Sequence, residues 1–239
     1  MNISVLIPLL NEQESLPELT AWIEKVMLEN KFSYEVIFID DGSTDDTLKF
    51  LKEIQEEFKQ YSIKIIQVKP NQGKGNAIKA GVLAASQAWV LCNDVDLSYS
   101  MEQIDQWEDT FNINLNQENT VYFGSRELGK KNNEMELFLH RIVIGRIYSL
   151  FIRLVTGITV RDTQCGYKLY SKDVAQKIFP QVQEKRFAFD VEVHYLLKNE
   201  KVNIHLLPVK CIDIEGSKVN LIRDSWQMFR ALFRIVGKK

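Results

Sequence analysis

Two carboxylates stand two residues apart in Asn93-Asp94-Val95-Asp96, directly after a short apolar run. Aspartates so placed offer oxygen ligands to a hard divalent cation, and such a cation can neutralise a diphosphate and stabilise it as a leaving group. A lone Asp-x-Asp is weak, because polar turns carry it often. Three further polar stretches make it stronger: Pro8-Leu-Leu-Asn11-Glu12, Asp40-Asp41-Gly42-Ser43-Thr44-Asp45 and Asn71-Gln-Gly73-Lys74-Gly75-Asn76. A carboxylate such as Asp40 can accept hydrogen bonds from a base or ribose. Gly42 lets backbone approach closely, and Lys74 between two glycines can meet a phosphate. Each has a plain reading too. Asp-Gly-Ser is also a turn followed by a helix cap at Ser43, and Lys74 alone reads as a solvated lysine. The spacing matches neither a P-loop nor a dinucleotide fingerprint.

These stretches matter only if the fold gathers them. Each follows a β-branched run: Ile3 to Pro8, Glu35 to Asp40, Ser62 to Val68 and Ala88 to Asn93, with Thr120 to Gly124 as a fifth strand. Between the runs lie helical spacings, as in Leu16, Leu19, Ile23, Val26 and Met27. Ser15 with Glu18, and Ser43 with Asp46, carry the capping-box signature. Alternation of this kind predicts an α/β fold, a mostly parallel sheet with helices on both faces. Ligands of such sheets bind at the carboxyl ends of the strands, where the polar stretches fall.

The chain has 239 residues, which fits a single domain of about residues 1–239. Composition shifts near Glu134, dividing it into a half of about 1–133 for nucleotide and metal and a half of about 134–239 for acceptor and membrane. A net charge of −2 argues against nucleic acid as a partner. Cys92, Cys165 and Cys211 form an odd set without Cys-x-x-Cys spacing, which points to a reducing, cytoplasmic compartment. The N-terminus has no signal-peptide pattern. No stretch stays free of charge for the ~18 residues that a spanning helix needs.

Together the quoted residues resemble the family-2, GT-A-type glycosyltransferases. The likeness rests on Val5 to Glu12, Ile39 to Asp45, Asn71 to Gly75 and Asp94 to Ser98, then Gly124-Ser-Arg126. Asp162-Thr-Gln-Cys-Gly-Tyr-Lys-Leu169, Arg186-Phe-Ala-Phe-Asp-Val-Glu192 and Glu215 to Val219 continue it. The later pieces resemble the polyprenyl-phosphate (dolichyl-phosphate) mannosyl- and glucosyltransferases, and Asp162 to Lys168 looks closest to the glucosyl branch. The resemblance implies a GT-A fold and inverting transfer of one hexose, glucose or mannose, from a UDP- or GDP-sugar to a lipid phosphate. It implies Mg2+ or Mn2+ on Asp94 and Asp96, the nucleoside on Asp40 and Asp41, and nucleotide-sugar contacts at Pro8, Asn11, Glu12, Ser43 and Lys74. Arg126 would meet the acceptor phosphate or the reacting sugar, with Arg141 second, and Asp190 would lie in the active site. Two departures stand out. Ser98 replaces a Gln common in the mannosyl branch, and the multi-span anchors of some relatives have no counterpart here.

A lipid phosphate has a second pKa of about 6 and is its own nucleophile at neutral pH, so catalysis needs positioning and charge control more than a base. For a sugar hydroxyl acceptor, Asp190 would be the natural base; otherwise it is a carboxylate opening a helix. His194 and Cys165 read as packing residues. Leu137 to Val155, punctuated by Arg141, Arg146 and Arg153, and Trp226 to Val236, among basic residues, have the apolar-basic design of helices lying at a membrane interface. A helical hairpin or a homodimer interface would look the same. The expected placement is peripheral, at the inner face of the membrane. Two further readings stay open: a family-2 enzyme acting on a saccharide hydroxyl in envelope polysaccharide synthesis, and a non-catalytic nucleotide-sugar-binding protein recruited to membranes.

Overall fold

Successive side chains of a strand point to opposite faces. In β1 (Asn2–Leu9), Ile3, Val5, Ile7 and Leu9 enter one apolar core and Leu6 another. β2 (Ser33–Asp40) divides alike, with Val36 and Phe38 on the first side and Ile37 and Ile39 on the second. Strands buried on both faces need helices on both. The computed structural model in which this is seen describes residues 2–29, 32–96, 98–115, 117–131, 135–136, 149–212 and 221–237.

The first face is covered by α1 (Leu16–Glu29), α2 (Thr47–Glu57) and α4 (Glu102–Phe111), which contribute Leu19, Ile23, Leu51, Ile54, Ile104 and Trp107. The second is covered by α3 (Lys74–Ala84), α7 (Lys172–Ile178) and α8 (Phe189–Asn199), through Ile78, Val82, Val174, Ile178, Val193 and Leu197. The sheet between them adds β3 (Ser62–Gln67), β4 (Trp89–Cys92), β5 (Thr120–Ser125), β7 (Lys168–Ser171) and β8 (Asn203–Pro208), in the order β3-β2-β1-β4-β7-β5-β8. All pairings are parallel except those of β7, which runs antiparallel to both β4 and β5. α5 (Arg126–Lys131) follows β5, and β6 (Met135–Glu136) pairs with β9 (Cys211–Ile212).

The α/β alternation read from the sequence is present. One capping expectation fails. Asp46, not Ser43, stands before α2. Ser43 instead donates its N–H to Asp40 and accepts at its hydroxyl from the Asn11 N–H, so it knits two loops together. Ser15 does precede α1, but its hydroxyl turns to Glu12 at 2.9 Å. The helix α6 (149–156) and α9 (Leu221–Val236) lie outside α8, where Ile152, Leu232 and Ile235 pack with Val191. Among the described residues, no helix is long and apolar enough to cross a membrane. Arg141 and Arg146 lie outside the described residues.

The end of the sheet away from the polar tips is tied by Glu35, which is 1 % exposed. Its carboxylate accepts from the Ser4 hydroxyl, from the Ser86 N–H and hydroxyl at 3.0 and 2.8 Å, and pairs with Lys64 at 2.5 Å. Burial pushes its pKa up, but Lys64 and the serine hydrogen bonds outweigh burial and hold it below the usual range. A depressed folded pKa means stabilisation that is complete above the unfolded carboxylate's value, about 4.3, and is lost as pH falls through the lower folded value. Glu35→Gln is expected to cost about 2 kcal/mol at pH 7. Urea denaturation should show that gap narrowing toward zero as pH falls below about 4; a gap independent of pH would disprove the assignment.

Candidate active site

The parallel strands β1, β2, β3 and β4 end at one edge of the sheet, so the four polar tips open on one crevice. The reversed strand β7 begins at that edge, with Lys168 opposite both Cys92 of β4 and Phe123 of β5. β5 ends there, which places Arg126, and α8 starts there with Asp190 in its first turn.

The first two tips are laced together. Asn11, at φ 54°, accepts from the Thr44 N–H at its side-chain oxygen, and the Glu12 N–H donates to Thr47. Asp40 is wholly buried. Its two oxygens take the Ser43 N–H at 2.9 Å and Gln67 Nε2 at 3.1 Å. Asp41, 4 % exposed, takes the N–H groups of Gln72 and Gly73 at 3.0 and 2.7 Å. Both carboxylates therefore clamp neighbouring loops. Gly42, at φ 79°, has no room for a Cβ, which would lie 2.8 Å from the Asn71 nitrogen. Pro8 remains within β1, opposite Ile39.

Asp94 and Asp96 follow β4. Asn93, 1 % exposed, shapes the turn by accepting the Asp94 N–H. Lys74 Nζ, from the first residue of α3, lies 2.5 Å from Asp94 Oδ1. The other oxygen, Oδ2, presses on Gly166, where a Cβ would come within 2.1 Å of it. Asp96 is exposed and accepts the Ser98 N–H. Crowding on its inner side, then Asp94, raise its pKa. Deeper in, Lys168 donates to the Thr163 carbonyl at 2.7 Å and to Asp190. Burial raises the Asp190 pKa, Asp94 adds to that, and Lys168 and Lys74 oppose it.

Arg126 makes a bidentate pair with Asp162: Nε to Oδ2 at 2.9 Å and Nη2 to Oδ1 at 2.7 Å, while its backbone N–H also reaches Oδ2. Burial would raise the Asp162 pKa, but Arg126 reverses this and holds it below the usual range. The bidentate geometry fixes the plane of the guanidinium. Of the other residues read from the sequence, His194 is a neutral packing residue against Phe123, its pKa lowered by burial. Burial pushes the Cys165 thiol up to about 12, which makes it a poor nucleophile.

The model of glycosyl transferase family 2 matches residues 4–179. The chain belongs to that family. This glycosyltransferase is 32 % identical to a dolichyl-phosphate beta-glucosyltransferase of Dictyostelium discoideum, across 98 % of the chain and 73 % of that protein. It is 31 % identical to the human dolichyl-phosphate beta-glucosyltransferase, across 91 % and 69 %. Its fold matches Mycobacterium tuberculosis glucosyl-3-phosphoglycerate synthase, solved with Mn2+, UDP-glucose and phosphoglyceric acid, at a TM-score of 0.67 and 17 % identity, covering 99 % of this chain and 80 % of that one. A Pyrobaculum calidifontis mannosyltransferase solved with GDP-mannose and Mn2+ matches at a TM-score of 0.61 and 14 % identity, over 96 % and 60 %.

The donor set of this glycosyltransferase suits a hard cation. Asp94 and Asp96 offer only carboxylate oxygens, and among the described residues no group of three or more His, Cys, Asp or Glu could hold a metal. Two carboxylates with the remainder of the shell left to substrate phosphate and water is the manner in which Mg2+ is commonly held. The residues that sequence reasoning left without a role are Lys168, Asp162 and Gly166. All three lie in the quoted Asp162–Leu169 stretch, which was their only signal. Gly166→Ala is expected to push Asp94 out of place and lower kcat about a hundredfold, the loss that a 1 Å misplacement can cause. Circular dichroism should show the fold retained; a folded variant with unchanged kcat would mean that Gly166 does not set Asp94.

Proposed function

We propose that this glycosyltransferase moves one glucose from UDP-glucose to a polyprenyl (dolichyl) phosphate, with inversion at the anomeric carbon. The supporting observation is the engagement of Asp190. A hydroxyl acceptor needs a base free to take its proton, whereas Asp190 is committed to the buried Lys168 ammonium. An acceptor phosphate brings its own charged oxygen and needs no such base. The names of the relatives, dolichyl-phosphate beta-glucosyltransferases at about 30 % identity, support the glucosyl group and the acceptor.

In this reading Asp94 and Asp96 hold Mg2+ or Mn2+, which when bound supplies positive charge for the departing diphosphate. Lys74 and the backbone at Gly73 lie beside that diphosphate. Asp40 and Asp41 serve the nucleoside chiefly by fixing the loops of Ser43, Gln72 and Gly73. Asp162 holds Arg126 through Nε and Nη2, which leaves Nη1 to bind the acceptor phosphate. The 183–188 loop and α9 form a cleft lined by Arg186, Phe187, Met228 and Ala231. Its apolar floor and basic rim suit the phosphate end of a lipid. Purified protein with UDP-[14C]glucose, Mn2+ and polyprenyl phosphate should yield a glucosylated lipid, and none with the free polyprenol. Product from a saccharide acceptor alone, or from GDP-mannose alone, would refute the assignment.

The acceptor is a membrane lipid, and the helical pair α6 and α9 presents an apolar patch to receive that membrane. Leu150, Phe151, Leu154 and Phe233 are 54, 42, 73 and 57 % exposed. Phe151, Phe229 and Phe233 stack edge to face across the two helices, with Arg153 and Arg230 exposed nearby. Cys92, Cys165 and Cys211 are buried and form no disulfide, which fits a reducing compartment and hence the cytoplasmic face. A Leu154→Glu/Phe233→Glu variant is expected to lose flotation with anionic vesicles while still binding UDP. Retained flotation, or loss of a dimer in its place, would assign the patch to another role.

A further inference from the structure

Asp94, Asp96 and Asp190 all act on the Lys74 ammonium, and Asp190 also pairs with Lys168; the two lysines are held in different ways. Lys168 is 2 % exposed, sits on a strand in the middle of the sheet and is fixed by the Thr163 carbonyl and Asp190. It has no room to leave. Lys74 is 28 % exposed, opens α3 and reaches Asp94 Oδ1 at 2.5 Å on a flexible four-carbon stem. Asp94 Oδ2 is pressed against Gly166. Lys74 therefore holds the oxygen of Asp94 that is less crowded by Gly166, which leaves a cation to compete with Lys74 for it.

We propose that Lys74 is an exchangeable counter-ion of Asp94: it occupies that carboxylate while the crevice is empty and passes to the donor diphosphate when diphosphate and cation arrive together. The proposal rests on the reading of Asp94 and Asp96 as the cation-holding pair. A divalent cation arriving alone must evict an ammonium and then lie beside it, so two positive charges share one crevice. A diphosphate gives Lys74 a new acceptor close at hand and removes that repulsion. Cation and nucleotide should thus strengthen each other's binding, by the same factor in either order, and Lys74 should carry part of that coupling. The exchange also makes the empty enzyme a poor trap for free cations, because Asp94 is already neutralised.

Mn2+ binding can be followed by the EPR signal of the free ion, with and without saturating UDP, without any sugar transfer. Wild type, Lys74→Met and Lys74→Gln are compared with Lys185→Met. Lys185 lies on the neighbouring loop and bonds Gln72, so its loss removes a nearby charge without freeing Asp94. Lys74→Met and Lys74→Gln are each expected to tighten Mn2+ binding in the absence of UDP by roughly fivefold or more, and to shrink the gain from UDP by a similar factor. Lys185→Met should change both by less than about twofold. Unchanged or weaker Mn2+ binding in both folded Lys74 variants would overturn the proposal and make Lys74 a brace for Asp94. Equal tightening by Lys185→Met would overturn it in favour of bulk charge. If wild type binds no Mn2+ even with UDP, the cation site falls and the exchange with it. If the exchange is seen but no glucosyl lipid forms, the exchange stands and only the acceptor assignment fails.

Discussion

The site depends on how one buried ammonium is satisfied. Lys168 is carried into the middle of the sheet by β7, at 2 % exposure. An unpaired charge there would cost several kcal/mol. Its partners are the Thr163 carbonyl and Asp190, so the 161–167 loop, β7 and the start of α8 meet at one atom. With Thr163 held, its neighbours are placed too: Asp162 against Arg126, and Gly166 against Asp94. With Asp190 held, the N-terminus of α8 is anchored at the crevice. A single requirement for charge compensation thus sets the Arg126–Asp162 pair, the Asp94 carboxylate and the start of a helix. It also accounts for the antiparallel insertion of β7, since only a strand that begins at the carboxyl edge of its neighbours can deliver Lys168 there and connect directly to the 161–167 loop.

Around that atom the charged groups stand as pairs: Lys168 with Asp190, Lys74 with Asp94, and Arg126 with Asp162. Pairing lets a partly buried crevice keep its charges, and it orients them before a substrate arrives. Groups oriented in advance stabilise a departing charge without reorganising at the moment of reaction. The pairs are not equally committed. Lys168 is enclosed, Arg126 keeps one guanidinium nitrogen outside its bidentate contact, and Lys74 is partly open.

Much of this was legible in the sequence, and the misses have physical causes. The strands β1 to β5 announced themselves by their apolar runs, buried on both faces in β1, β2, β4 and β5, and the polar tips followed from their carboxyl ends. β7 did not, because a four-residue strand containing Lys168 and Ser171 has the composition of a loop. A buried lysine is tenable there because Asp190 and the Thr163 carbonyl meet its ammonium, with the Phe123 ring 5.5 Å away. Asp40 and Asp41 stand at the carboxyl end of β2, as their spacing implied. Residue type alone cannot distinguish a carboxylate that faces a ligand from one whose oxygens are taken by neighbouring groups, as Ser43 and Gln67 take those of Asp40. Ser43 carried a capping signature, yet the loop gives its hydroxyl to Asn11. Local spacing states what a side chain could bond, and the competition among bonds is settled only when distant loops converge.

That convergence extends to the outer helices. Glu192, 3 % exposed, accepts the N–H groups of Gln183 and Glu184 from inside, while Arg234 of α9 grips Glu184 from outside through two contacts of 2.8 Å. The loop so pinned lies directly on the turn that bears Lys74. The Lys185 carbonyl accepts the Asn76 N–H, and a Cβ on Gly73 or Gly75 would come within 2.6 Å of that carbonyl or 2.5 Å of Phe189. Gly73, at φ 101°, has a backbone conformation that a larger residue would strain as well. The glycines flanking Lys74 are thus fixed by contact with the 184–189 segment, whatever their value to a phosphate. Since α9 holds that segment by Glu184, and α9 also bears the apolar patch, that patch and the turn bearing Lys74 are parts of one braced unit. Its two ends are joined through Arg234, Glu184, Lys185 and Gly73, a chain of direct contacts with no flexible linker between them.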